Sequence, residues 1–359
     1  CIRDSFSTSA GVNVRTKDLE FANSYQYASY YNMMKVNDGG VATFSDEQLE
    51  TFRNHSNPLM YPDINWIDYC MNKAAFQSQH NVNISGGTSN MKYFVSAGLF
   101  TQGGMFKQFN ATDDFNFDYK RYNYRANLDF DVTKTTLLSV NIGGRIETKR
   151  TPESGEDQNQ LFRKLYWAVP FAGAGIVNGE RVVSNSEVLP FTGVDGLSSY
   201  YGKGFQTKTT NVLNVDLALN QKLDFITKGL SFKALINFKN YSYTYYSRTF
   251  NPYYYRLDSA DPLESGGYDF QYTSMNQGST ALTLASNGSS GDRYMNIQAL
   301  LNYQRTFANK HDVGALFVYL QRDYNVNNPG DYYATLPQRN QGIAGRVTYA
   351  YDGKYLAEV

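Results

Sequence analysis

Apolar and polar residues alternate with a two-residue period from Tyr122 to Ile146, and this stretch constrains the fold more than any other part of the chain. Side chains of a β-strand point alternately to opposite faces of the sheet, so this period collects the apolar residues on one face. The apolar set is Tyr122, Tyr124, Ala126, Leu128, Phe130 and Val132, then Leu138, Val140, Ile142 and Ile146 after a short turn. The polar set is Asn123, Arg125, Asn127, Asp129 and Asp131, then Ser139, Asn141, Arg145 and Glu147. The stretch predicts a β-hairpin with one apolar face and one polar face.

Two classes of protein contain such hairpins. In a soluble sandwich the apolar faces of two sheets bury each other, whereas a transmembrane barrel turns its apolar face to lipid and its polar face to a wet lumen. No run of 18 apolar residues encodes a transmembrane helix, and the 31 Tyr, 23 Phe and 29 Gly residues suit a barrel with aromatic rings at its membrane interfaces. The 33 basic and 33 acidic residues balance, which argues against a nucleic-acid-binding surface.

The lengths of the connections separate these two classes. The alternation recurs along the chain and predicts about eleven strands, the last of them incomplete. Short turns near positions 88, 134, 227, 310 and 353 alternate with long excursions. Outer-membrane barrels place short turns at the periplasmic end and long loops outside the cell. We therefore predict an all-β, antiparallel, up-and-down transmembrane barrel. Because an open sheet edge in lipid leaves backbone groups unpaired, we expect the chain to be part of a larger barrel.

The first long connection differs in character from the strands. Residues 16–78 predict one long, partly helical extracellular insertion. Apolar and aromatic residues at helical spacing from Phe21 to Val36 follow a possible cap at Asn23 or Ser24. A second short helix is predicted from the capping-box spacing of Ser45 and Gln48.

Several separated motifs resemble a known family. They are His80-Asn81-Val82-Asn83-Ile84-Ser85-Gly86-Gly87, Tyr122-Asn123-Tyr124-Arg125-Ala126-Asn127-Leu128-Asp129-Phe130-Asp131, Asn340-Gln341-Gly342-Ile343-Ala344-Gly345-Arg346-Val347-Thr348-Tyr349, and Asn57-Pro58-Leu59-Met60-Tyr61-Pro62 with Trp66. In this order they resemble the SusC/RagA-type TonB-linked outer-membrane transporters of Bacteroidetes-like bacteria.

The resemblance implies a multi-pass barrel of about 22 strands in the bacterial outer membrane, with an N-terminal plug in its lumen. It further implies active import of glycans or peptides, energised by TonB–ExbB–ExbD through the plug and assisted by a SusD-like surface lipoprotein. On this basis we expect residues 1–359 to be a partial barrel domain, about the first half of the barrel, without the plug and the second half.

Aromatic residues of the long loops are the candidate substrate-binding residues, because rings stack on the apolar faces of ligands while amides and charges bind their polar groups. The set is Tyr166, Trp167, Tyr200, Tyr201, Tyr253, Tyr254, Tyr255, Arg256, Tyr332 and Tyr333. The alternative for each ring is that it folds its own loop or lies in the outer aromatic girdle. Trp66 and Tyr69, close to the second strand, are expected in that girdle.

Charged residues of the polar strand faces are expected to face the plug or the lumen. The set is Arg125, Asp129, Arg145, Glu147, Asp216, Lys233, Lys239 and Arg346. The basic members could bind the plug through charge-assisted hydrogen bonds, or they could contact only water.

Catalysis and metal binding have little support in the sequence. The carboxylates Asp129, Asp131, Glu147 and Asp216 could be imagined as acid–base pairs, but a wet lumen already accounts for them. The three histidines lie far apart and have no metal-ligand spacing, so no enzyme activity and no cofactor are expected. Two alternatives to the active importer remain: a passive porin without plug or energy input, and a soluble β-sandwich adhesin or carbohydrate-binding protein.

Overall fold

The computed structural model of the chain describes residues 2–17, 19–109, 116–153, 158–190, 193–198, 203–279 and 281–359. The first half of these residues contains β1 (Ile2–Val14), α1 (Ser24–Asn37), α2 (Asp46–Asn54), α3 (Trp66–Cys70), β2 (Ala74–Gly87), β3 (Met91–Gly103), β4 (Asp118–Thr133), β5 (Thr136–Pro152), α4 (Gln158–Trp167), β6 (Gly173–Val177) and β7 (Glu180–Val183). The second half contains β8 (Gly204–Lys222), β9 (Leu230–Thr249), β10 (Tyr255–Pro262), β11 (Tyr268–Ser274), β12 (Thr283–Phe307), β13 (His311–Val326), a short 3₁₀ helix (Tyr333–Thr335), β14 (Gln338–Tyr351) and β15 (Tyr355–Glu358). None of the helices within these ranges has the length and apolar character needed to span a membrane.

Eleven strands form one antiparallel sheet in the order β1-β2-β3-β4-β5-β8-β9-β12-β13-β14-β15. Each strand pairs with the next strand of this sheet along the chain, so the sheet is an up-and-down meander. All short turns therefore lie at one end of the strands and all long connections at the other. The predicted antiparallel all-β fold, its strand number and its alternation of connections are confirmed.

Local turn chemistry accounts for the tightest hairpins. Asp352 and Gly353 join β14 to β15 with φ angles of 52° and 64°, and the Asp-Gly pair tolerates this left-handed backbone. Ala308 and Asn309 adopt similar angles between β12 and β13.

The register puts the apolar residues of successive strands side by side on one face. Leu128 pairs with Val140, Val140 with Leu217, and Leu217 with Ile236, which in turn pairs with Ile297. These side chains remain accessible: Leu217 and Ile236 are both 39% exposed. In a soluble sandwich a second sheet would bury this apolar face. Within the described ranges no second sheet covers it.

The buried core lies in the loops rather than on the sheet. Its three clusters join residues 28–71, 106, 161–197 and 257, which come from four different connections. Phe171 lies at the centre of one cluster, with the rings of Phe44, Phe52 and Tyr27 at centroid distances of 5.4–5.5 Å. We call this packed set of loops the cap.

The helices of the cap begin where the capping signals predict. Asn23 caps α1 and Ser45 caps α2, and each cap has both hydrogen bonds of a capping box. The first insertion ends earlier than predicted, since β2 begins at Ala74. The stretches at 149–208 and 248–292, which show no clear alternation in the sequence, contain α4 and a separate four-stranded sheet in the order β11-β10-β7-β6.

Candidate functional site: the polar face and the cap

Pairing places all eight predicted lumen residues on one face of the eleven-stranded sheet. They are Arg125, Asp129, Arg145, Glu147, Asp216, Lys233, Lys239 and Arg346. A row of amides and charges crosses the centre of this face, running from Asn127 through Asn141, Asp216 and Asn237 to Asn296. We call it the polar face; whether it contacts a plug stays a prediction.

Three open cavities of 730, 460 and 530 Å³ lie against the polar face. The first is lined by β3, β4, β5 and β8 and brings together Arg125, Arg145 and Asp216. The second lies where Phe106 and Phe162 of the cap approach the loop end of the sheet. The third lies at the turn end and includes Lys233. Open cavities therefore lie along the polar side of the sheet, and residues of the cap line the one at its loop end.

Some of the predicted charges have partners on the same face. Arg145 contacts Glu147 at 3.0 Å, and Glu147 also accepts a hydrogen bond of 3.0 Å from the Tyr119 hydroxyl. Ser139 donates to Asp129 at 2.6 Å. The side-chain amide of Asn237 donates to the carboxylate of Asp216. The guanidinium of Arg346 lies 3.7 Å from the carboxylate of Glu358.

Other charges have no ionic partner. Arg125, Lys233 and Lys239 form no ion pair with any residue that the structure describes. The polar face thus carries cations that are free to bind a carboxylate from outside this set of residues.

Tyr166 and Trp167 lie at the end of α4, on the surface of the cap. The Tyr166 ring stacks on Phe21 at 6.0 Å, and the guanidinium of Arg163 lies 4.0 Å from the Trp167 ring centroid. Trp167 is 60% exposed. Both aromatic residues line a surface cavity of 440 Å³ that also includes Asn65.

Tyr253, Tyr254, Tyr255 and Arg256 form contacts that organise their own loop. Tyr253 stacks with Tyr255 at 6.4 Å, and the buried Arg181 guanidinium lies 5.2 Å from the Tyr254 ring centroid. Arg256 contacts both Asp258 and Glu187 at 2.8 Å. These contacts are the ones expected of residues that stabilise the four-stranded sheet of β6, β7, β10 and β11, which we call the loop sheet.

The electrostatics of this loop sheet follow from those contacts. A hydrogen bond from Thr273, followed by the hydrogen bond and charge of Arg256, lowers the pKa of Asp258 against the opposing effect of burial. The hydrogen bond to Asp258 in turn raises the pKa of Arg256. The carboxylate and guanidinium therefore stay charged over the physiological pH range.

Tyr332 and Tyr333 project into solvent, 76% and 81% exposed, and their rings contact each other edge-on at 6.0 Å. Tyr200 and Tyr201 lie outside the described residues. The loop aromatics therefore do not converge on one site, and their role in substrate binding stays a prediction.

The expected girdle position of Trp66 and Tyr69 is wrong. Trp66 is only 3% exposed, lies in the cap core, and donates its indole N–H to the carbonyl of Val169 at 2.7 Å. The Tyr69 hydroxyl accepts from the backbone N–H of Ile176 at 2.8 Å, and burial raises its pKa. Both side chains have polar atoms bonded to residues more than 100 positions away, which the local sequence does not reveal.

Three tyrosines of the polar face are not among the predicted substrate-binding residues, because they lie in a strand and not in a loop. Tyr241, Tyr243 and Tyr245 lie at every second position of β9, on the same face as Lys239, with centroid distances of 6.2 and 6.5 Å between successive rings. The ammonium group of Lys208 lies 4.0 Å from the Tyr243 centroid. The spacing Tyr-x-Tyr-x-Tyr, continuing the polar alternation of β9, is the signal that could have found them.

The cap contains a buried ion pair that no pattern in the sequence predicts. Arg181 binds Asp195 through two guanidinium nitrogens at 3.2 and 2.9 Å, and both residues are buried. Asp195 also accepts the backbone N–H of Ser198 at 2.7 Å. The residues that the structure describes include no cluster of His, Cys, Asp or Glu that could hold a metal ion.

Comparison with solved structures identifies proteins with the same architecture. The chain is similar to the RagAB peptide transporter, with a TM-score of 0.56 and 16% identity, over 98% of this chain and 41% of that chain. It is similar to the RagAB peptide importer in the "closed-closed" state, with a TM-score of 0.57 and 16% identity over 98% and 40% of the two chains. The "open-open" state gives a TM-score of 0.58 and 15% identity over the same shares.

No protein-family model and no curated protein sequence matches the chain. The chain spans about two fifths of the length of the RagAB chains it matches. Identities of 15–16% show the fold alone. At that level they confirm the predicted resemblance: this chain has the fold of a part of a RagA-type transporter barrel.

Proposed function

We propose that this chain is part of the barrel of an active transporter in the bacterial outer membrane, which imports peptides or glycans. The observation that carries the proposal is the combination, on one sheet, of an exposed apolar face and a polar face with open cavities against it. Lipid can cover the first of these faces and a wet lumen the second.

The position of the cap supports import of a bulky nutrient. Long loops pack together at one end of the strands and lean over the lumen side, where they can select a ligand before it enters. The three solved structures compared above are those of a peptide transporter or importer, which supports peptides as one substrate class. Glycans stay an alternative, because aromatic and amide side chains bind them equally well.

We further propose the partners that the resemblance implies. A SusD-like surface lipoprotein would lie over the cap, and a plug would couple the lumen to TonB–ExbB–ExbD. Arg125, Lys233 and Lys239, which form no ion pair within the described ranges, are suited to bind carboxylates of such a plug or of the substrate.

The test is uptake by cells. Deleting the complete gene should abolish uptake of at least one labelled oligopeptide or oligosaccharide from a panel, and the complete gene should restore it. Uptake that continues after the proton-motive force is dissipated would favour the passive porin. Recovery of the complete gene product in the soluble fraction, rather than in the detergent-extracted outer membrane, would favour the soluble alternative.

A further inference from the structure

We propose that the tyrosine ladder of β9 and two lysines beside it form a binding site on the lumen wall for an extended peptide carrying an acidic side chain. The tyrosine ladder consists of Tyr241, Tyr243 and Tyr245, and the lysine pair consists of Lys149 and Lys208. The inference rests on the proposed import function and deepens it by naming the site and the substrate class.

The site lies above the lipid-facing part of the barrel. The apolar face of β9 runs from Leu230 to Phe238, and the next positions on that face are the polar residues Asn240, Ser242 and Thr244. The ladder begins at Tyr241 on the opposite face, level with these polar residues. It therefore lines the part of the lumen wall between the membrane and the cap, which a substrate crosses first.

The lysine pair is the strongest indication of an anion-binding site. Lys149 of β5 and Lys208 of β8 pair directly across the two strands and point to the same face. Like charges directly opposite each other destabilise a sheet. Neither lysine forms an ion pair with any described residue. The neighbouring carboxylate, Glu147, is already bound by Arg145 and Tyr119. A carboxylate supplied by a ligand would relieve this repulsion.

The ladder ends beside the lysine pair, at Tyr245. Lys208 pairs with Tyr245 across β8 and β9, and its ammonium lies over the Tyr243 ring at 4.0 Å. On the other side of the rings, β12 presents Gly288, Ser290 and Asp292. The Tyr245 ring lies over Gly288, and the small residue Ser290 faces Tyr243. A ligand anchored by its carboxylate at the lysines would therefore extend along the row of tyrosine rings.

The spacing of the rings favours a peptide over a glycan. Successive ladder centroids are 6.2 and 6.5 Å apart, close to the roughly 6.6 Å that separates alternate side chains of an extended peptide. A sugar would need a free ring face on which to stack, but the Lys208 ammonium covers Tyr243. Alternate apolar side chains of a peptide can instead lie against the ring edges.

The test measures binding by the complete gene product in detergent. The probes are a blocked hexapeptide with alternating Leu and one Glu, the same peptide with Gln in place of Glu, and an oligouronide as the other source of carboxylates. Blocked termini leave the Glu side chain as the only carboxylate of the first peptide. We expect the Glu peptide to bind about tenfold more tightly than the Gln peptide at low salt, and this preference to shrink at high salt.

Substitutions separate the two parts of the site. Lys149→Gln and Lys208→Gln should each lower the affinity for the Glu peptide about tenfold and leave the Gln peptide unchanged. Because each substitution removes one of two like charges at directly paired positions, neither should lower the stability of the barrel. Tyr243→Ala combined with Tyr245→Ala should lower the affinity for both peptides about tenfold. Tyr243→Phe, which keeps the ring, should retain binding if the double variant fails to fold.

The matched controls lie on the opposite face at the same level. Lys120→Gln of β4 and Tyr246→Ala of β9, the latter 42% exposed, should leave binding unchanged. Equal affinity for the two peptides, unchanged affinity in the lysine variants, or binding of the oligouronide alone would overturn the inference. If those results coincide with uptake that still depends on the complete gene, the proposed import function stands without this site. If deletion of the complete gene changes the uptake of no ligand in the panel, the proposed import function itself is refuted.

Discussion

Replacing Ile236 by arginine tests the assignment of the apolar face to lipid. Ile236 lies near the middle of the apolar run of β9, between Leu217 and Ile297 on the neighbouring strands. An arginine near the midplane of a transmembrane barrel costs about 2–4 kcal/mol. The next polar position on that face toward the loop end, Asn240, is four residues or about 13 Å away, which limits snorkelling of the guanidinium. We therefore expect a loss of about 3 kcal/mol, roughly a hundredfold in the folding equilibrium constant.

The adjacent residue is the matched control. Asn237 lies on the polar face and donates a hydrogen bond to Asp216, so Asn237→Arg places a guanidinium beside a carboxylate in a wet lumen. We expect this change to alter the free energy of unfolding by less than about 1 kcal/mol. The assay is denaturant unfolding of the complete protein in lipid vesicles, in which the two variants differ only in the face that carries the charge.

A buried sandwich interface would also be damaged by Ile236→Arg, so a second measurement is needed. A nitroxide attached at Ile236→Cys should be relaxed by oxygen, which partitions into lipid, and not by a water-soluble nickel chelate. A label relaxed preferentially by nickel, or equal stability of the two arginine variants, would refute the lipid assignment of this face.

Three further predictions concern the cap. Asp195→Asn leaves the buried Arg181 without its charge partner, and we expect it to destabilise the cap by about 3–5 kcal/mol, seen as faster proteolysis of the loops with unchanged hydrogen exchange in the sheet. Trp66→Phe removes the donor to a buried carbonyl, and an expected loss of about 1–2 kcal/mol should appear as faster amide exchange in the cap helices; unchanged exchange would contradict the indole hydrogen bond. Asp258 has a lowered pKa, so its contribution is present above the unfolded value of about 3.9 and is lost as pH falls through the lower folded value. Exchange in β10 and β11 should rise in that acidic range, and Thr273→Val, which removes the hydrogen bond that lowers this pKa most, should shift the rise to higher pH.

Features that depend on neighbouring residues were predictable from the sequence. The alternation of Tyr122 to Ile146 predicted the hairpin and its two faces, because the side-chain period of a strand is a local property. The Ser45–Gln48 spacing predicted the start of α2, because a capping box is completed within four residues.

Residues of the candidate site were predictable only in part. The polar face could be inferred because every second residue of a strand points to the same face of the sheet. Tyr241, Tyr243 and Tyr245 also lie at every second position of their strand, but the predicted substrate-binding residues were all in loops. The pairing of Lys149 with Lys208 needed the register of β5 against β8, which no local pattern provides.

The strands, their faces and the order of short and long connections were predictable from the amino-acid sequence, because they follow from short-range periodicity and turn chemistry. Only the tertiary structure decided that Trp66 is buried in the cap and that Arg181 meets Asp195. The physical reason is that the cap is held by contacts between loops that are distant in sequence, such as the bond from Trp66 to Val169. Such contacts depend on the shape of several segments at once, whereas the period of a strand depends on one.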